Sequence, residues 1–155
     1  MKLSENFWLY EFTQSQTGTR LGIYNEPNDA QLTNLIQLVR KVIQPIRDKF
    51  GPVTINSGFR GWALNKAVGG VPSSQHTTGE AADIEVPGHS NKEVAVWIRD
   101  TLNFDQLILE AYNPAQGPNS GWIHVSYAMN DRNRKEVLTA TFIRGKAVYS
   151  RGINV

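Results

Sequence analysis

Hydrophobic positions follow a helical spacing in the first third of the chain and mostly an alternating, strand-like spacing later. After Asn28 and Asp29, apolar side chains recur every three or four residues, as on one face of an α-helix. These residues are Leu32, Leu35, Ile36, Val39, Val42, Ile43 and Ile46. The stripe predicts a core-facing helix that Asn28 and Asp29 cap at its start and that Pro45 kinks or ends.

Two further helices are indicated by their end signals. Ser90 and Glu93 have the spacing of a capping box, which predicts a helix from there to about Leu102. Its inward positions would be Val94, Ala95, Ile98 and Leu102. Residues 62–68 could form a short helix that ends at Gly69 and Gly70.

Strand patterns dominate the remainder, and Arg144 and Gly145 read as the turn of a last hairpin. The predicted strands are 53–57, 81–86, 104–111, 122–128, 136–143 and 146–149. Helices come first and strands cluster later, which predicts an α+β fold with an antiparallel sheet and flanking helices. A chain of 155 residues is long enough for one domain with a sizeable core, so we expect a single domain over 1–155.

Two segments have more than one interpretation. The aromatic residues Phe7, Trp8, Tyr10 and Phe12 lie too close together to be all buried. We expect a helix there that packs Phe7, Tyr10 or Leu9 inward, and a substrate platform is the alternative. The Pro- and Gly-containing segment 113–120 reads as a loop that either borders a cleft or only connects two strands.

Composition and charge exclude several functional classes. A formal net charge of +2 is too small to argue for nucleic acid binding, and acidic residues interrupt the basic positions after residue 131. No apolar run approaches the length of a membrane span, and the first residues lack the apolar core of a secretory signal. We therefore expect synthesis in the cytoplasm without a signal peptide. The chain has no cysteine, which excludes a thiolate metal site.

Two histidines and one aspartate form a candidate metal site. Side chains alternate along a strand, so Asp83 leaves the face that carries Ala82 and Ile84, and two strands can present Asp83 and His124 to one cleft. His76 would reach the cleft from the loop before Gly79. Two imidazoles and one carboxylate match a catalytic zinc site that keeps its fourth position open. Taken singly, His76 could be a loop residue and His124 a half-buried strand histidine, and His89 reads as a surface residue.

The residues SxHxxGxAxD at 74–83 and WxH at 122–124 together resemble the zinc D-alanyl-D-alanine carboxypeptidase family, which includes phage L-alanyl-D-glutamate endolysins. The likeness extends to about Tyr127. The further matching segments are Leu3 to Phe7, Gln44 to Arg47, Ser57 to Arg60, Asn65 with Gly69 and Gly70, and Asp105 to Ile108.

The resemblance implies Zn²⁺ held by His76, Asp83 and His124, with a nearby carboxylate as the general base. Several family members carry an acid three positions before the second histidine, where this chain has Gly121. Glu110 is the best candidate for the base, with Glu80, Glu85 and Asp105 as weaker rivals.

The resemblance also implies that Arg60 holds a substrate carboxylate or stabilises an oxyanion. Its position at the end of a predicted strand suits such a role. We expect Arg60, Ser74 and Trp122 to contact substrate. Ser74 and Ser126 are possible hydrogen-bond partners for the metal-binding imidazoles.

These features favour a zinc-dependent peptidase that cleaves stem peptides of bacterial peptidoglycan, without nucleic acid or membrane partners. The bond could be D-Ala-D-Ala, as in a carboxypeptidase, or L-Ala-D-Glu, as in an endolysin that reaches the cell wall by phage lysis or in a phage particle. The alternatives are a non-catalytic zinc-containing binding or phage structural module, and a metal-free structural protein. The oligomeric state stays open.

Overall fold

The computed structural model covers residues 1–155 and contains eight β-strands and six α-helices. The strands are β1 (Lys2–Ser4), β2 (Phe7–Trp8), β3 (Thr54–Ser57), β4 (Ala81–Glu85), β5 (Gln106–Glu110), β6 (Trp122–Ser126), β7 (Glu136–Ile143) and β8 (Lys146–Arg151). The helices are α1 (Tyr10–Thr13), α2 (Gln16–Leu21), α3 (Asp29–Leu38), α4 (Gln44–Phe50), α5 (Trp62–Ala67) and α6 (Asn91–Thr101). A π-helical turn (Val39–Ile43) and two 3₁₀-helices (Gln75–Thr78 and Pro114–Gln116) complete the chain.

Six strands form one mixed sheet in the order β3-β4-β6-β5-β7-β8, and β1 pairs with β2 separately. The α+β class is confirmed, but the prediction of a purely antiparallel sheet is wrong at one pairing, because β5 and β7 run parallel. The end of β6 lies beside the start of β5, since these two strands are antiparallel. Residues 127–135 cross from there to the free edge of β5, so β7 starts at the same end as β5.

The core lies between one face of this sheet and the helices. Alternate residues of β4, β5 and β6 point toward the helices, and the predicted helical stripe packs against them. The fully buried members include Ala82, Ile84, Leu107, Leu109, Ile123 and Val125 from the sheet and Leu35, Val39, Val42 and Ile46 from the helices. The opposite face of the sheet therefore carries the intervening polar residues, among them the candidate metal ligands.

The long helical segment does not end at Pro45. The side chain of Asn28 accepts a hydrogen bond from the backbone of Gln31, whose side chain bonds back to Asn28, so the predicted cap is present. The π-helical turn comes directly before Pro45, where the Gln44 N–H reaches back to the Val39 carbonyl. A widened turn accommodates a residue that lacks an N–H and crowds the preceding turn, so the helix continues to Phe50.

The other two predicted helices are present. Ser90 caps α6 by accepting a hydrogen bond from the Glu93 N–H, but the Glu93 side chain contacts His89 instead of completing a capping box. Helix α5 ends at Ala67, just before the two glycines. None of the helices combines the length and apolar character required to cross a bilayer.

The N-terminal aromatic residues divide between core and surface. Phe7 and Phe12 are buried and their rings meet edge to face. Of the three residues that could face inward, Phe7 is the buried one and Tyr10 is 63% exposed. The predicted helix is wrong at Phe7, which lies in a strand. Leu9 is half-buried against the core.

Gly121 lies directly before β6, at a position that has no room for a side chain. Its φ angle is +71°, and a Cβ atom there would overlap the carbonyl oxygen of Glu110 and the adjoining backbone. Gly145, in the β7–β8 turn, has a similar φ of +78° but open space around the missing Cβ. The acid that several family members carry at the position of Gly121 is therefore excluded here by the backbone.

The different room for a Cβ atom at Gly121 and Gly145 can be tested by comparing the stability of two alanine variants. We expect Gly145→Ala to lower the free energy of unfolding by about 1 kcal/mol, which is the usual cost of a left-handed conformation. Gly121→Ala should cost about 1–3 kcal/mol more, because the added methyl group forces the β5–β6 connection to shift. Urea denaturation of the two variants measures the difference, and equal losses would contradict the close approach at Gly121.

Candidate metal centre and cleft

The floor of the site is formed by directly opposed residues of neighbouring strands. Asp83 of β4 pairs with His124 of β6, and His124 pairs on its other side with Ile108 of β5. Residues opposed in an antiparallel pair project from the same face, so both polar side chains leave the face opposite the core. The structure thus confirms the common cleft that the alternation of the two segments predicts.

His76 enters the site from the 3₁₀-helix before β4 and is only 3% exposed. The Ser74 hydroxyl accepts a hydrogen bond from the His76 N–H, which fixes the start of this turn. Gly79 ends the turn at a φ of +81°, and a Cβ atom there would overlap the carbonyl oxygen of Gln31. The Ser and Gly of the matching pattern therefore position His76.

The three candidate ligands converge. Their ligand atoms all lie within 4.8 Å of one another. His76 Nε2 is 3.4 Å from Asp83 Oδ2, and His124 Nδ1 is 3.1 Å from Asp83 Oδ1. A divalent metal bound by these groups would be held by two imidazoles and a carboxylate.

The backbone carbonyl of Gly58 orients the His76 ring. His76 Nδ1 lies 2.8 Å from this oxygen, and a carbonyl only accepts, so Nδ1 carries the proton. Gly58 also packs where a Cβ atom would overlap the backbone of Phe12. Ser74 and Ser126, the possible partners for the imidazole rings, do not bond to them. The Ser74 hydroxyl accepts a hydrogen bond from the His76 backbone N–H, and the Ser126 hydroxyl accepts one from the Gln106 backbone N–H.

This arrangement fits a cation. With one proton on Nδ1, a neutral His76 ring would turn its Nε2 lone pair toward the Asp83 carboxylate, and two acceptors would then face each other. Burial raises the pKa of Asp83, but hydrogen bonds and positive charge from the His124 and His76 rings lower it more, so the net pKa lies well below the ordinary value. A cation between the three groups would remove the repulsion between these acceptors. Metal-binding imidazoles usually have their second ring nitrogen oriented by a hydrogen bond, as the Gly58 carbonyl orients His76.

Glu110 supplies the other carboxylate of the cleft. It pairs across the strands with Trp122, whose indole Nε1–H donates a 2.7 Å hydrogen bond to Glu110 Oε2. Burial, together with the nearby charge of Asp83, raises the pKa of Glu110 above its ordinary value, although His124 and the Trp122 bond oppose this. A carboxylate of raised pKa is a stronger base than an exposed one.

The rival carboxylates are engaged elsewhere and do not line the cleft. Glu80 accepts a hydrogen bond from the Thr78 hydroxyl, and Glu85 accepts one from the Asn56 amide. Asp105 is buried and accepts hydrogen bonds from Arg134 and Gln75.

Arg60 lines the same cleft without an ionic partner. Its backbone N–H donates to the His76 carbonyl, which ties it to the metal site, while its buried Nε has no hydrogen-bond acceptor. Burial lowers the pKa of Arg60, and Asp83 and Glu110 act in the opposite direction. The guanidinium stays charged and is free to bind a substrate anion.

The cleft has a volume of about 520 Å³ and includes residues that the sequence did not single out. Tyr149 is one, because β8 brings it into a row with Ala140, Glu110 and Trp122 across four strands. Burial and the Glu110 charge raise the pKa of Tyr149. The alternation of side chains in β8 could have indicated which face Tyr149 occupies. Its place beside Glu110 also depends on the parallel pairing of β5 and β7, which the sequence did not predict.

Two other predicted contributors do not reach the cleft. No residue of the 113–120 loop lines it, so this segment is a connection that Asn91 fixes through the Ser120 and Gly121 carbonyls. Trp8 and Tyr10 are also absent from its walls, which leaves the aromatic platform unsupported. Ser74 and Trp122 do line it. His89 lies on the surface beside Glu93, as predicted.

Comparison with known proteins identifies one family. The sequence model of the family described as Peptidase M15 matches residues 5–126, which include every candidate ligand, Arg60 and Glu110. The match ends before β7 and β8, so Tyr149 lies in a part of the cleft outside the matched segment. A comparison with curated proteins found no significant match.

Metal analysis tests the three ligands directly. We expect the purified protein to bind one equivalent of divalent metal in calorimetric titration, and His76→Ala, Asp83→Ala and His124→Ala each to weaken binding at least about 100-fold, because each removes one of three ligands. His89→Ala is the matched control and should bind normally, because His89 lies outside the cluster. An Asp83→Ala protein with unchanged metal affinity would contradict the site.

Proposed function

This chain belongs to the Peptidase M15 family, and on that premise we propose that it is a zinc-dependent peptidase acting on peptidoglycan stem peptides. The observation that carries the proposal is the convergence of His76, Asp83 and His124 in one cleft. The same cleft holds the Glu110 carboxylate, which forms no ion pair, and the unpaired guanidinium of Arg60. The family and the cluster together support a metallopeptidase. Two imidazoles and one carboxylate also suit iron or manganese, and zinc is proposed as the metal because the family resemblance points to it.

The protein's own residues divide the reaction between them. When bound to the three ligands, zinc supplies a Lewis acid that activates water and polarises a carbonyl group. Glu110 takes a proton from the attacking water as the water oxygen bonds to the carbonyl carbon, and then passes that proton to the departing amine as the peptide C–N bond breaks. Arg60 stabilises negative charge on the substrate, either a carboxylate or the developing oxyanion.

Trp122 has an indirect role in this scheme. Its indole hydrogen bond holds the Glu110 carboxylate against the sheet, on the side of the cleft shared with His124. Ser74 acts through the turn that positions His76. We therefore propose that Trp122 and Ser74 position the base and a ligand, in addition to lining the substrate cleft.

The alternative of a non-catalytic zinc-containing module depended on the absence of an acid at position 121. Gly121 has no room for a side chain, while the carboxylate of Glu110 occupies the cleft from the opposing strand. The glycine therefore does not argue against catalysis. Action on the bacterial cell wall through phage lysis or a phage particle stays a prediction from the family resemblance.

The activity test uses purified peptidoglycan and its soluble muropeptides with zinc-loaded protein. Mass spectrometry should show loss of one terminal alanine for a carboxypeptidase, or release of stem peptides for an endopeptidase. Glu110→Gln should lower kcat about 10²–10⁴-fold while retaining metal, because the amide cannot accept the proton. Glu80→Gln and Glu85→Gln are the controls, and normal turnover by Glu110→Gln would exclude Glu110 as the base.

The pH dependence of kcat/KM should change when the hydrogen bond from Trp122 to Glu110 is removed. Glu110 acts as a base only when ionised, so kcat/KM falls as pH drops through its pKa, which burial raises. The indole bond lowers this pKa. Trp122→Phe should therefore move the acidic limb of the kcat/KM profile to higher pH. An unchanged limb, or one displaced to lower pH, would show that another group controls it.

A further inference from the structure

A second, larger cavity adjoins the metal cleft and has no role in the chemistry described above. Its volume is about 950 Å³, and one wall is formed by residues 55–60, from β3 to Arg60. The opposite wall comes from residues 14–20, which include most of α2. We call this cavity the α2–β3 pocket. Arg60 lines both cavities, so the pocket begins where the cleft ends.

The β3 wall has an unpaired edge. β3 is the first strand of the six-stranded sheet and pairs only with β4. The backbone of residues 54–57 makes no hydrogen bond beyond that pairing. Exposed N–H and C=O groups on a strand edge bind an extended chain as an added strand. The shape of this wall therefore suits a peptide rather than a compact ligand.

The charge of the pocket suits an anionic peptide. No aspartate or glutamate lines it, whereas Arg20 and Arg60 do. Neither arginine has a carboxylate within ion-pair distance. The remaining polar side chains are amides and hydroxyls, which can bond to peptide groups: Gln14, Ser15, Gln16, Thr17, Thr19, Asn56 and Ser57.

We propose that the α2–β3 pocket binds the carboxylate-bearing peptide chain on one side of the cleaved bond, extended along β3. Arg60 lies at the junction with the metal cleft, and Arg20 binds a substrate carboxylate farther from it. The proposal rests on the function proposed above and adds where the peptide beyond the scissile bond lies. It makes peptides long enough to fill both cavities better substrates than dipeptides.

Binding is tested by nuclear magnetic resonance on the zinc-loaded Glu110→Gln protein, whose slowed turnover leaves the peptide intact while the spectra are recorded. One probe is a synthetic stem peptide that contains both the L-alanyl-D-glutamate and the D-alanyl-D-alanine bonds. The others are the same peptide with its glutamate carboxylate amidated, and the dipeptide D-alanyl-D-alanine. The stem peptide should shift the backbone amide signals of residues 54–57 and of α2, and the amidated peptide should do so with lower affinity.

A pair of charge reversals tests the role of Arg20. Arg20 lies in the last turn of α2 and Lys49 in the last turn of α4, and both are exposed and without ionic partners. Arg20→Glu should raise KM for the stem peptide by up to about fivefold with little change in kcat, which is the effect of losing one exposed charge pair. Lys49→Glu should leave KM unchanged, because Lys49 does not line the pocket.

The outcomes separate this proposal from the peptidase proposal. Signal shifts confined to the metal cleft, or equal KM values for the two charge-reversed proteins, would overturn the pocket assignment while hydrolysis continued. If no probe perturbed any signal and the protein with Glu110 intact cleaved none of them, both proposals would fail. Shifts along β3 together with a KM effect specific to Arg20→Glu would support the pocket as the peptide subsite.

Discussion

The placement of the half-buried Asp83 carboxylate between two imidazoles is the constraint on which the rest of this structure depends. Asp83 meets His124 only because β4 and β6 pair in a register that opposes these two residues. A shift of one residue would turn either side chain into the core. Ala82 and Ile84, on either side of Asp83, fix this register because they fill the other face of the sheet. Core packing therefore sets the geometry of the site.

The third ligand depends on segments far away in sequence. The Gly58 carbonyl orients His76, and Gly58 itself packs against the backbone of Phe12. Gly79 packs against Gln31 in the same manner, on α3. The side chains of Ser4 and Gln44 are hydrogen-bonded, which ties the N-terminal strands to α4. Among the segments that resemble the family, Ser57 to Arg60 thus supports His76 directly, through the Gly58 carbonyl and the Arg60 N–H.

The sequence contained most of the local information about this fold. Alternation placed Asp83 and His124 together, and the apolar stripe located the long helix. Three features of the structure were not predicted from the sequence, because they depend on contacts between distant segments. The π-helical turn lets the helix pass Pro45, the connection after β6 makes β7 parallel to β5, and the Gly58 carbonyl is a backbone group without a side-chain signal. The place of Tyr149 in the cleft was not predicted because it depends on the parallel pairing of β5 and β7.

The position of the base shows how chemistry can be retained when a sequence pattern changes. Residue 121 leads into β6 and directly precedes Trp122, while Glu110 ends β5 opposite Trp122. The two positions are distant in sequence but adjacent in space, as the overlap between a Cβ atom at 121 and the Glu110 carbonyl demonstrates. A carboxylate on either strand would border the same cleft, but here the close backbone approach admits one only on β5. The Trp122 indole then holds that carboxylate beside the metal ligands, so cross-strand geometry, rather than spacing from the second histidine, identifies the candidate base.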